Sequence, residues 1–158
     1  MNKATETILT DTVTDVLDRF SFLFTDPPEE SYEEWKGEYY HAAIAFKGPH
    51  QGAVNIAAPE PLCREIAANV LGELDPDELS PETAGDALKE VLNIVCGELV
   101  AELFGNAVVI DLTVPTLVHI DHGKWIELSA GDDNIKLMVD EHPILVGLLI
   151  ATENTINS

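Results

Sequence analysis

The stretch Ser80–Gly105, SPETAGDALKEVLNIVCGELVAELFG, constrains the fold more than any other part of the chain. Leu88, Val91, Leu92, Val95, Leu99 and Leu103 recur at spacings of three and four, the apolar stripe of a 3.6-residue period. The ends are marked as clearly as the middle. The Ser80 hydroxyl is placed to accept a bond from a first-turn N–H. Pro81 occupies the first helical position, where a missing N–H costs nothing, and Glu82 sits at the positive end of the helix dipole. Gly105 is expected to close the helix in a left-handed conformation. The other side of the helix carries Asp86, Glu90, Asn93 and Gly97, which offsets of four, three and four stack on one face. Asn93 lies mid-helix, where it caps nothing and its amide competes for backbone bonds. Gly97 costs roughly 1 kcal/mol relative to Ala. A helix that keeps both residues is expected to use them for something other than stability, Gly97 by letting another surface approach closely.

At 158 residues the expectation is one domain, spanning 1–158, with enough chain for a proper core. Eight basic residues against 29 acidic ones leave a formal charge of −21. Such a surface repels nucleic acid and anionic membrane, so neither is an expected partner. No basic-then-apolar leader is visible and no apolar run reaches membrane-spanning length, which places the protein in the cytoplasm as an expectation. Cys63 and Cys96 fall among apolar neighbours on different predicted helices and read as buried free thiols, with no disulfide or zinc spacing.

Taken in order, residues 5–20 form a first helix with Leu9, Val13, Val16, Leu17 and Phe20 inward and Asp11, Asp15 and Asp18 outward. Residues 20–25 are expected to be extended. The acidic loop 26–36 opens with Pro27-Pro28 and is folded back by Tyr32 and Trp35. Runs 38–47 and 52–58 make a hairpin across Gly48-Pro49-His50-Gln51. Residues 59–72 form a helix with Leu62, Ile66, Val70 and Leu71 inward, and the acidic linker 73–79 leads into the long helix. Beyond Gly105 the expected strands are 107–114, ended or bent by Pro115, then 124–128, 134–139 and 144–151, with Gly131-Asp132-Asp133 as a turn. The last strand is apolar on both faces and belongs in the middle of a sheet, though it also suits a dimer contact. Residues 152–158 read as a frayed tail. A faint repeat lays Asp11-Thr-Val-Thr-Asp15-Val-Leu-Asp18 over Asp86-Ala-Leu-Lys-Glu90-Val-Leu-Asn93 without a gap, which implies two helix-plus-strands units sharing one sheet.

The run Asp86-x3-Glu90-x2-Asn93, followed by Pro115 after 21 intervening residues, resembles the signature of the chemotaxis phosphatase family of CheX, CheC and FliY. That signature is an Asp or Ser, a Glu and an Asn at these spacings, with a Pro about twenty-two residues further on; here the gap is one short. CheC-like members carry the motif on both long helices, CheX-like members on one. Asp18 stands at the Asn position of the first helix, so the chain is most similar to CheX, and CheX-like proteins are dimers. The resemblance implies an α+β fold, with two long helices and a shorter one packed on a largely antiparallel sheet. It also implies an enzyme that hydrolyses the phosphoaspartate of a CheY-type response regulator. In that scheme Asn93 holds the attacking water, accepting one bond and donating another. Glu90 pairs with the regulator's active-site Lys, Asp86 sits at the edge of the contact, Gly97 gives the regulator room and Pro115 completes the pattern. The protein needs no cofactor of its own, because the regulator brings its Mg²⁺. Without the resemblance, Glu90 and Asn93 read as an ordinary solvated helix face. A non-catalytic module of the same fold that binds a regulator or another signalling protein is the alternative function. His119-x-Asp121-His122 has metal-ligand residue types, but it falls in an expected turn where Asp and His serve local bonding, and no metal site is expected.

Overall fold

The structure is a computed structural model that describes residues 1–28 and 35–151. Tyr32 and the tail 152–158 lie outside the described residues. Three helices, α1 (Lys3–Ser21), α2 (Glu60–Leu71) and α3 (Pro81–Phe104), cover one face of a seven-stranded sheet. The strands are β1 (Thr25–Asp26), β2 (Tyr39–Lys47), β3 (Gly52–Pro59), β4 (Asp111–Leu112), β5 (Thr116–Ile120), β6 (Asn134–Val139) and β7 (His142–Ile150). Every strand pair is antiparallel. A fourth helix, α4 (His122–Ser129), lies against the opposite face.

The strand order is β1-β6-β7-β3-β2, with β4 and β5 following one another along the outer edge of β2. Exchanging β1 with β5, β2 with β6 and β3 with β7 returns the same order, as the faint sequence repeat implies. The central pair is β3–β7, and β7 is mid-sheet as its two apolar faces require. Ile144, Val146 and Leu148 join the helix-side core, while Leu145 packs on the other side with Tyr39, Ala57 and Trp125. On α3, Leu88, Val91, Leu92, Val95 and Leu99 are buried in the same core. Burying each such side chain is worth about 1.5–3 kcal/mol, so the stripe rather than intrinsic propensity holds the helix down. Both cysteines are buried free thiols; burial raises each of them, Cys96 to about 11.

Ser80 caps α3 by accepting from the Thr83 N–H at 3.1 Å. Gly105 ends it with φ 80 but ψ 174, a positive φ without the left-handed helical ψ expected. The left-handed cap geometry is found instead at Gly72, after α2, and at Phe22, after α1. Helix α1 therefore runs through Ser21, and only Thr25–Asp26 of the segment expected to be extended pairs as a strand. Trp35 is tied locally, donating its indole N–H to the Glu38 carbonyl at 2.9 Å and accepting the Tyr39 hydroxyl on its own carbonyl at 2.5 Å.

Three further expectations are corrected. Residues 124–128 are helical, not a strand: Asp121 accepts from the Lys124 N–H at 2.9 Å and starts α4. Trp125 then stacks on Tyr39 with ring centroids 4.4 Å apart, and Leu128, three residues on, packs against the same cluster. The strand expected over 107–114 shrinks to Asp111–Leu112: residues 107–110 do not pair, and past Thr113 the ladder on β2 breaks before Pro115, which has no N–H to donate. Val70 and Leu71, expected inward, are 39% and 62% exposed, since among the described residues none covers the last turn of α2.

Candidate functional site

Asp86, Glu90 and Asn93 are exposed along one ridge of α3, at i, i+4 and i+7. On one flank of that ridge lies an open groove of about 400 Å³, lined by Asp86, Lys89, Glu90 and Asn93 on the helix and by Thr113, Val114 and Pro115 opposite. The structure thus brings Pro115 to the three helix residues, 22 positions after Asn93 in sequence.

The opposite wall exists because the edge of the sheet is interrupted. β4 pairs with Phe46 and Lys47, and β5 pairs with Tyr39 to Ala43, so both serve the same strand. Between them Thr113 stays attached: its N–H donates to the Ala45 carbonyl at 2.9 Å, and its hydroxyl accepts from the Ala45 N–H at 3.0 Å. Val114 and Pro115 then pass over the edge without a ladder bond, and Val114 is exposed. Gly85 faces β5: a Cβ there would lie 2.6 Å from a Leu117 methyl, so a larger residue would require the end of that part-buried leucine to shift.

Lys89 was missed in the sequence reading. Its ammonium is 3.3 Å from an Asp86 carboxylate oxygen, and it is the one basic residue lining the groove. The signal was present: Lys89 is three residues after Asp86 and shares its face. Gly97 does not line the groove; a Cβ built there meets nothing within 4 Å, so its surface is open.

On the other flank of the ridge, Asp86 and Glu90 also border a smaller dent of about 190 Å³ between α1, α2 and α3. The motif-like face of α1 is placed differently. Asp15 accepts from Arg19 at 2.9 Å, and the same guanidinium binds both oxygens of Glu98 on α3 at 2.6 and 2.7 Å. His119, Asp121 and His122 do not converge. His119 stacks on Tyr40 and its Nδ1 lies 2.5 Å from Glu38, whereas Asp121 caps α4. Among the described residues no group of three or more His, Cys, Asp or Glu is arranged to hold a metal, and no helix is long and apolar enough to cross a membrane.

Long helices packed on one face of an antiparallel sheet whose strand order repeats from either end are the architecture that this chain shares with CheC/CheX-like structures. The profile described as "Chemotaxis phosphatase CheX" matches residues 40–133, more than half of the chain, and the protein belongs to the CheX family. Solved structures agree on the fold. A CheC-like superfamily protein from Shewanella sp. PV-4 superposes with a TM-score of 0.69 at 21% identity, covering 96% of this chain and 100% of that one. A putative chemotaxis protein from Desulfovibrio vulgaris Hildenborough gives 0.68 at 16% identity, covering 94% and 97%. The CheX of a CheX–CheY–BeF₃–Mg²⁺ complex from Borrelia burgdorferi gives 0.62 at 22% identity, covering 93% and 97%. Among curated protein sequences no significant match is found.

Proposed function

We propose that this protein hydrolyses the phosphoaspartate of a CheY-type response regulator, with Asn93 and Glu90 as the working residues. One observation carries the reading: Glu90 and Asn93 stand exposed, one turn apart, on a long packed helix beside an open groove. Membership of a family described as a chemotaxis phosphatase and fold similarity to a CheX solved with CheY support it.

An aspartyl phosphate is an acyl phosphate, so catalysis is mostly positioning and charge stabilisation. The Asn93 carbonyl oxygen accepts a hydrogen bond from the water while its NH2 group donates to the phosphoryl oxygens, which turns the water's lone pair toward phosphorus. The new P–O bond forms as the P–O bond to the aspartyl carboxylate breaks. The carboxylate leaves with that electron pair, inorganic phosphate is released, and the water's proton passes to phosphate and solvent. Glu90 pairs with the regulator's active-site Lys in a charge-assisted bond and fixes register. Asp86 and Pro115 border the contact, and Gly97 leaves room for the regulator one turn further on. The regulator's own Mg²⁺ supplies the remaining charge stabilisation, so the protein brings no cofactor. A homodimer acting in the cytoplasm belongs to the same reading, and light scattering of the purified protein checks the dimer.

The test is the decay of phosphorylated CheY-type regulators from the same genome, with and without the protein. Faster decay that disappears in Asn93→Ala, with docking kept, is the expected result. Unchanged decay with every regulator overturns the phosphatase reading and leaves a binding module.

A further inference from the structure

We propose that the dent on the far flank of the α3 ridge receives an apolar anchor side chain, flanked by basic residues, from the same regulator that presents its phosphoaspartate to Asn93. The inference rests on the function proposed above. The dent is bordered by Phe20 of α1, Ala67, Val70 and Leu71 of α2, and Ala87 of α3, with Asp86 and Glu90 on its rim. At about 190 Å³ it falls below the roughly 300–1,000 Å³ of small-molecule sites, which suits one side chain rather than a cofactor.

Three observations point to this occupant. First, the apolar stripe of α2 would ordinarily bury Val70 and Leu71, yet they stand 39% and 62% exposed at the edge of a packed helical layer. The layer is held in place there, since the Asn69 amide donates to the Ser21 carbonyl at 2.8 Å and ties the end of α1 to α2. Second, Asp86 and Glu90 border both depressions. A partner that grips Glu90 and reaches Asn93 straddles the ridge, and its far side comes down over the dent. Third, the rim is acidic, its charged residues Asp86 and Glu90, on a protein of net charge −21. The complementary partner surface therefore carries Lys or Arg beside its apolar anchor. An apolar pocket inside a charged rim is the usual form of a hot spot.

The experiment measures binding of beryllofluoride- and Mg²⁺-loaded CheY-type regulators from the same genome, and steady-state hydrolysis of their phosphorylated forms. The doubly substituted Val70→Ser/Leu71→Ser chain changes exposed residues without adding charge. It is expected to bind about tenfold more weakly or worse, with KM raised in parallel and kcat kept. Leu74→Ser, at a 98% exposed position outside the dent, is expected to behave as wild type. A Val70→Ser/Leu71→Ser chain that binds as tightly as wild type overturns the inference and leaves the phosphatase standing. Equal losses in the Leu74 variant overturn it too, by making the effect a general one of surface apolarity. A wild type that neither binds nor hydrolyses any regulator ends the functional reading and this inference with it.

Discussion

The two halves of the sheet present equivalent helix faces and arm them differently. On α3 the face reads Asp86, Lys89, Glu90, Asn93; the gapless overlay on α1 reads Asp11, Thr14, Asp15, Asp18. The α3 face looks onto a groove with a wall of its own, Thr113 to Pro115. On α1 the Thr14 and Thr25 hydroxyls lie 2.6 Å apart, which joins the helix to β1 where the other half stays open. Asp15 is engaged by Arg19, which also binds Glu98. The depression beside it collects the carboxylates of Asp11, Asp15, Glu98 and Glu102. Asp18 accepts hydrogen bonds but, when ionised, donates none, whereas the Asn93 carboxamide does both. The comparison teaches that duplicating a backbone supplies two scaffolds. The α3 face in addition has a carboxamide, a lysine beside its carboxylates and a wall that stands clear of the helix.

The largest effect is expected from making α3 resemble α1. Asn93→Asp places an anion against an anionic phosphoryl group and removes the amide donor, so hydrolysis should fall by about 100-fold or more. Binding of the beryllofluoride-loaded regulator should change far less, and single-turnover decay beside a binding isotherm reads the two apart. The reverse graft sharpens the comparison. Asp15→Glu with Asp18→Asn, built into an Asn93→Ala background, is expected to recover no phosphatase activity, because the depression beside α1 is lined by Asp11, Glu98 and Glu102, which repel an anionic phosphoryl group. Measurable turnover would show that these carboxylates do not decide the difference.

A smaller effect is expected at the contact between α3 and β5. Gly85→Ala gains helix propensity but makes the end of the Leu117 side chain move aside, so the gain is partly offset. Denaturant unfolding should show Gly97→Ala, with open space around the new methyl, gaining up to roughly 1 kcal/mol and Gly85→Ala less. Smaller again is the counter-charge: Lys89→Gln should raise KM for the phosphorylated regulator by a few-fold and flatten its dependence on salt.

The smallest effect concerns α2, which has no counterpart in the second half among the described residues. Burial and the neighbouring Asp140 carboxyl push Glu65 up to about 8. A carboxyl raised on folding stabilises the protein below its unfolded value, near pH 4, and that stability is lost as pH rises toward 8. Glu65 is part-exposed, so solvent screens most of the effect and about 1 kcal/mol or less is expected. Glu65→Gln should therefore raise the melting temperature at pH 8 and leave it nearly unchanged at pH 4.

Much of this was legible because it is local. The α3 stripe and its Ser80-Pro81 start, the hairpin 39–59, the mid-sheet β7 and the alignment of Asp86, Glu90 and Asn93 follow from helix or strand period and turn chemistry within a few residues. Helix α4 reads as a strand because Lys-Trp-Ile-Glu-Leu is a five-residue run rich in Trp, Ile and Leu, too short for its three-residue spacing of Trp125 and Leu128 to stand out. The deciding facts are the Asp121 cap and the stacking of Trp125 on a Tyr39 that is 86 positions away.

The sequence by itself determined which residues share the exposed polar face of α3, since a 3.6-residue period carries that information in the chain's own spacing. Only the tertiary structure decided what stands opposite that face. Thr113 to Pro115 become a wall because one edge of β2 is shared by two short strands, and Gly85 comes under constraint because Leu117 lies close against it. Val70 and Leu71 keep their apolar character but lose their burial, because no described residue covers the end of α2. Periodicity says which side chains point the same way. What they point at depends on contacts between segments far apart in sequence.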